Sequence, residues 1–160
     1  MANAVMTNPS ETKQTKRLEI VRVIKASKQR VFDAWTQPQM IRRWYAPGAM
    51  VVQEAESDAR VDGSYSRTMF GSPSPGVEER TAVIQGRYLR VEPYDLLSFT
   101  WEANFAPGEH CVVTISLKEV EGGTELTLVH EGFSKDELGE WFTGGWSSVL
   151  DNLGRLLETL

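Results

Sequence analysis

At 160 residues and 18.0 kDa the chain is long enough for one domain with a real core, and its 41% apolar and 24% charged shares are those of an ordinary globular protein. Seventeen basic residues against twenty-two acidic ones give a net charge of −5 with no basic cluster, which argues against a nucleic-acid partner. The lone Cys111 cannot form an internal disulfide, and no apolar run is long enough for a signal peptide or a membrane span. The expectation is a cytoplasmic protein with a disordered polar tail over residues 1–16 and one domain over 17–160.

In chain order, Leu18 to Lys25 is rich in β-branched residues and reads as a strand. Ser27 is a candidate N-cap for a short helix that carries Val31, Phe32 and Trp35 on its apolar side. Thr36 with Gln39 three residues on has the form of a capping box for a second short helix, with Pro38 in its first turn and Pro47-Gly48 ending it. From Met50 the apolar period becomes two. Strands are expected over Met50–Ala55, Ser64–Phe70 after an Asp62-Gly63 turn, Glu79–Val91 with Gly86 as a bulge or bend, Leu97–Trp101, Cys111–Leu117, and Thr124–Glu131 after a Gly122-Gly123 turn. Gly71 to Gly76 (GSPSPG) reads as a loop.

Ser134 to Leu160 reads as one long amphipathic helix. Leu138, Phe142, Trp146, Val149, Leu150, Leu153, Leu157 and Leu160 fall on one face, and Ser134 with Glu137 suggests a capping box. Gly139, Gly144, Gly145 and Gly154 interrupt it, although each glycine costs about 0.5–1 kcal/mol against alanine in a helix interior. Two readings account for Gly144 and Gly145: close approach of helix to sheet, or space left for a ligand. The element order gives an α+β architecture, an antiparallel sheet of about six or seven strands curved around the C-terminal helix, with two short helices after the first strand.

Several stretches fit a family pattern: VFDAWTQP (31–38), RWYAPG (43–48), DARVDGSY (58–65), the EP…LLSFTW run ending at Trp101, GGTELTLVHEGF (122–133) and GGW…LDNL (144–153). Together they resemble the activator of heat-shock-protein-90 ATPase homologue-like family, of the START and birch-pollen-allergen-like superfamily, over residues 17–160. Where many members have Gly-Gly, this chain has Asp62-Gly63. The resemblance implies the helix-grip fold, with a cavity between sheet and helix. It also implies binding of an apolar or aromatic small molecule, lipid-like or polyketide-like. A cyclase or aromatase acting in the same cavity is one alternative, and a cochaperone-like ATPase activator is another. A small exposed apolar patch around Trp44-Tyr45-Ala46-Pro47 would favour the last. Fold alone does not choose among these.

The candidate ligand-binding residues are Trp101, Trp146, His130, Arg67, Tyr65, Phe99, Gly145 and Val149. Trp101 and Phe99 alternate on one strand, and Trp146 and Val149 lie on the gripped helix face. An indole supplies apolar surface and one N–H donor. His130 shares the inward face with Leu126 and Leu128, as an acid–base group or as a hydrogen-bonded core histidine. Arg67, inward with Tyr65 and Met69, would want a carboxylate partner, with Glu54 and Glu131 the candidates, or an anionic ligand group. Tyr65 and Tyr88 could orient a ligand carbonyl. Asp58 and Arg60 suggest a plain ion pair, Cys111 a buried thiol and His110 a surface residue. His110, Cys111 and His130 have no metal-ligand spacing, so no metal and no cofactor are expected. A homodimer is possible.

Overall fold

Among the described residues, two-residue alternation of apolar and polar side chains gives seven strands that join in one antiparallel sheet. The structure of the chain is a computed structural model that describes residues 16–159. The strands are β1 (Lys16–Ile24), β2 (Val51–Ser57), β3 (Ser64–Gly71), β4 (Arg80–Glu92), β5 (Leu96–Ala103), β6 (Cys111–Val120) and β7 (Gly123–Phe133). The helices are α1 (Lys28–Thr36), α2 (Pro38–Ile41) and α3 (Asp136–Glu158). Sheet order is β1-β7-β6-β5-β4-β3-β2, so the meander β2 to β7 runs in sequence and β1 closes onto β7. This is the expected α+β helix-grip architecture. Of the expected tail over residues 1–16, residues 1–15 lie outside the described residues, as does Leu160, and Lys16 belongs to β1.

The alternation sets which side of the sheet is covered. On β7, Leu126, Leu128 and His130 are buried while Glu131 is exposed, and on β6 Cys111, Val113, Ile115 and Leu117 face the same core. α3 lies across that side, burying Phe142, Trp146, Val149, Leu150, Leu153 and Leu157 at spacings of three and four. Burying a leucine-sized side chain contributes about 1.5–3 kcal/mol. That stripe therefore outweighs the intrinsic cost of the helix's glycines.

Two expected caps are replaced by other chemistry. The N-cap of α3 is Lys135, with no side-chain bond, so the Ser134–Glu137 box does not form. Instead the Ser134 amide and hydroxyl both donate to the Glu109 carboxylate, at 2.9 and 2.7 Å, from the loop between β5 and β6. Thr36 does not cap α2 either: it ends α1, its hydroxyl donating to the Phe32 carbonyl at 3.0 Å. Gln37 takes the cap position in an extended conformation (φ −92°, ψ 123°), as the residue before a proline must largely do. Ser27 does cap α1, accepting from the Arg30 amide at 3.2 Å.

Gly86 is a point of contact rather than a bulge; the register irregularity between β4 and β5 lies further on, between Tyr88 and Arg90. Gly86 pairs with Tyr65 across β3 and β4, and the Tyr65 hydroxyl reaches over to donate to the Thr100 carbonyl of β5 at 2.6 Å. A Cβ on residue 86 would stand 2.0 Å from that same carbonyl oxygen. Gly86→Ala is therefore expected to destabilise the protein by about 2–3 kcal/mol through forced separation of β4 and β5, measurable by urea denaturation.

Candidate functional site

The curvature of β3, β4 and β5 leaves a gap between the sheet and the first half of α3, and that gap is a cavity of about 510 Å³. Its size falls within the range of small-molecule sites. Met69, Ala82, Ile84 and Trp101 form the sheet wall, placed on the same face by alternation and by the register that pairs Met69 with Ala82. Phe142, Trp146 and Val149 form the helix wall, with Gly144 and Gly145 between them. Tyr45 and Met50 close a third side, and Pro73, Pro75 and Phe105 come from the flanking loops.

The segment after α2 is fastened to α3. Asn152 Nδ2 donates to the Ala46 carbonyl at 2.9 Å, and the Gly48 amide donates to Ser148 Oγ at 3.1 Å. These bonds hold Tyr45 against Trp146, ring to ring at 5.9 Å. Trp44, Tyr45 and Ala46 are accordingly buried and do not form the exposed patch that would favour an ATPase-activator reading. Trp44 donates its indole N–H to the Ala34 carbonyl at 3.0 Å.

A Cβ added at Gly144 or Gly145 would meet nothing within 4 Å, whereas one at Gly139 would strike the Phe133 ring at 2.9 Å. The two readings of the helix glycines thus separate by position. Gly139 permits close packing; Gly144 and Gly145 border open space.

Of the residues named from sequence, Trp101, Trp146, Gly145 and Val149 meet at the cavity surface. His130, Arg67, Tyr65 and Phe99 are fully or almost fully buried and lie outside the cavity lining, in the layer behind it. His130 accepts the Trp146 indole N–H on Nδ1 at 2.9 Å, which leaves its own proton on Nε2. Its ring stacks on Phe142 at 4.6 Å and meets Trp101 edge-on at 4.7 Å. Burial among these rings pushes the imidazole down from 6.5 to about 3, so it is neutral at physiological pH. Its role in the geometry is to fix the Trp146 indole that forms the helix wall.

Arg67 has neither of the carboxylate partners considered for it. Its guanidinium lies 4.8 Å from the Tyr45 ring centroid and 4.6 Å from that of Tyr65, while Nε and Nη1 make no hydrogen bond. Burial pushes the Tyr45 phenol up and the nearby Arg67 charge opposes this. Tyr65 is pushed well up, again chiefly by burial. The Tyr88 hydroxyl bonds Ser57 Oγ at 2.6 Å, so both Tyr65 and Tyr88 spend their hydroxyls inside the sheet. Phe99 packs edge-on against Tyr65 at 5.2 Å.

Of the other sequence readings, the Asp58–Arg60 ion pair forms at 2.9 Å on the surface, and His110 is exposed, 2.9 Å from Glu102. Cys111 is buried, and desolvation pushes its thiol up to about 12, which makes it a poor nucleophile.

Residues 25–158 match the family model described as Activator of Hsp90 ATPase homolog 1-like protein. The chain belongs to that family. Solved structures with the same fold include protein CV1439 from Chromobacterium violaceum, 27% identical, with a TM-score of 0.76, 89% of this chain and 98% of that one covered. The AHSA1 protein from Silicibacter pomeroyi is 19% identical, with a TM-score of 0.76 and coverage of 90% and 99%. DynU16, from the dynemicin biosynthetic locus, is 21% identical, with a TM-score of 0.71; the match covers 89% of this chain and 47% of that one. No curated protein matches the sequence.

For this member of the AHSA1-like family, the cavity lining carries three ionisable side chains, Tyr45, Arg80 and Glu140, against a predominantly aromatic and aliphatic surface. Arg80, Phe105 and Trp141 are not among the site residues expected from sequence. Arg80 is the first residue of β4, Phe105 sits in an aperiodic loop, and Trp141 is 41% exposed on the flank of α3. The one available signal was Trp141 itself, a large aromatic ring at a solvent-facing helix position. No helix among the described residues is long and apolar enough to cross a membrane.

Proposed function

We propose that this protein binds an apolar or aromatic small molecule, lipid-like or polyketide-like, in the cavity between the sheet and α3, and does so in the cytoplasm. The observation that carries the reading is the open space at Gly144 and Gly145. The helix gives up propensity at two consecutive positions, and the room that results borders the indoles of Trp101 and Trp146. A lining in which a few polar groups interrupt a continuous apolar surface suits recognition of a mostly apolar body.

Binding is favoured over catalysis by the chemistry of the lining. Tyr45 holds its proton more tightly than a free phenol, Arg80 presents only donors, and Glu140 is exposed. His130, the group best suited to proton exchange by residue type, is set behind Trp146 and stays neutral.

Naphthalene, 2-naphthol, 2-naphthoate and a medium-chain fatty acid make a suitable first panel, read by thermal unfolding. A ligand at 100 times its Kd stabilises the native state by about 2.7 kcal/mol, a rise of roughly 5–10 °C for a chain of this size. A rise of that order for at least one compound is expected. No rise with any of them at saturating concentration would contradict the proposal.

A further inference from the structure

The cavity is apolar through most of its depth, but its mouth holds a cation without a counter-ion. Arg80 lines the cavity with its guanidinium carbon 5.5 Å from the Phe105 ring centroid and 5.1 Å from that of Trp141. The two rings stand edge to face at 5.2 Å, so they fix the guanidinium from two sides. Among the described residues Arg80 makes no ion pair, and its buried Nε has no hydrogen-bond partner. Glu140 lines the same mouth from α3 yet does not pair with it. Several other arginines of this chain have partners: Arg60 and Arg90 each hold a carboxylate, at 2.9 and 2.6 Å, and Arg42 and Arg87 each donate to a backbone carbonyl, at 2.8 and 2.9 Å.

Two further donors point the same way. The Trp101 indole Nε1, on the cavity wall, is buried and makes no hydrogen bond of normal geometry, the Tyr45 hydroxyl being the acceptor near it. Arg67 stands behind the Tyr45 ring, a second cation with unpartnered nitrogens and no carboxylate. A desolvated donor left unsatisfied is costly, and a guanidinium with its fork free is the group best shaped for a carboxylate. These unpartnered donors favour an acceptor or anionic group in the cavity.

We infer that the ligand is an apolar or aromatic acid whose anionic group seats on Arg80 at the mouth while its apolar body fills the space beside Gly145. This rests on the proposal that the cavity binds a small molecule, and it names the chemical class. Trp141 and Phe105 hold the guanidinium in place, so the charge is presented at a set position and not on a free-swinging chain. Trp101 Nε1 offers a second, deeper donor to an acceptor atom on the ligand body.

The test uses three probes of one shape at neutral pH: 2-naphthoate, the neutral 2-naphthamide and the cationic 2-naphthylmethylamine, titrated into the full chain by calorimetry. The acid is expected to bind at least about tenfold more tightly than the amide, the factor that one charge-assisted contact supplies, and the amine more weakly than both. In Arg80→Met, which keeps an apolar stem against Phe105 and Trp141, acid and amide should converge. Arg80→Lys should restore part of the preference. Equal binding of acid and amide to the native protein, preference for the amine, or a preference for the acid that survives in Arg80→Met would each overturn the inference and leave cavity binding intact. Failure of all three probes to bind would overturn the inference, and together with no thermal response to the naphthalene, 2-naphthol and fatty-acid panel it would overturn cavity binding as well.

Discussion

His130→Ala is expected to lower stability by about 3 kcal/mol, with a fall in melting temperature on the order of 10 °C. Two costs combine. The imidazole fills the space between Trp101, Phe133 and Phe142, so its removal leaves a void in a close-packed aromatic cluster. It also accepts the Trp146 indole N–H, and that buried donor would lose its partner, a cost of about 1–3 kcal/mol alone. His130→Gln keeps an acceptor and should recover a good part of the loss.

The same residue makes the stability pH-dependent with a definite sign. In the folded protein its pKa lies near 3, against 6.5 when free, so the unfolded chain binds a proton that the folded one refuses between those values. The folded state is thus at full strength above pH 6.5 and weakens as pH falls toward 3, with a slope of up to about 1.4 kcal/mol per pH unit. Urea denaturation of the native protein and His130→Gln between pH 7 and pH 4.5 isolates this contribution. The two curves should converge, or cross, as acid removes the advantage of the native residue. Parallel curves would show that His130 does not resist protonation.

Gly145→Leu is expected to preserve the fold and to reduce ligand affinity by more than about tenfold, since the new side chain would occupy volume that the ligand needs. The backbone at this position is helical and nothing lies within 4 Å of the new Cβ, so no clash offsets the gain of about 0.5–1 kcal/mol in helix propensity. Unfolding temperature should stay level or rise while the response to 2-naphthoate disappears. The same exchange at Gly139 should behave in the opposite way, because its Cβ would press on Phe133 at 2.9 Å. If Gly145→Leu binds as well as the native protein, the space beside α3 is not the binding site.

The strands and α3 were legible because their signals are local. Period two on β6 and β7 and the three-and-four spacing of Phe142, Trp146, Val149 and Leu153 state which side chains are buried, whatever lies opposite. The caps were less legible, since a side chain from elsewhere can do their work. Glu109 is 25 residues from Ser134, and no local pattern announces that its carboxylate will take both donors. For the site, alternation placed His130, Arg67 and Tyr65 on the inward side but could not divide that side into cavity and core. The division is made by curvature. Met69, Ala82 and Ile84 come to border empty space while Tyr65 and Phe99 meet other rings. Arg80, Phe105 and Trp141 converge only because the start of β4, a loop and the flank of α3 share one rim, and three different periodicities place them there.

The five tryptophans provide the most direct test of cavity binding, because each contributes one indole N–H resonance in NMR and their surroundings differ. Trp101, Trp141 and Trp146 line the cavity, whereas the Trp44 N–H is held by the Ala34 carbonyl behind it. Titration with 2-naphthoate should move the signals of Trp101, Trp141 and Trp146 in a saturable manner and leave that of Trp44 in place. No movement at saturating ligand, or movement confined to Trp35 and Trp44, would contradict binding between the sheet and α3.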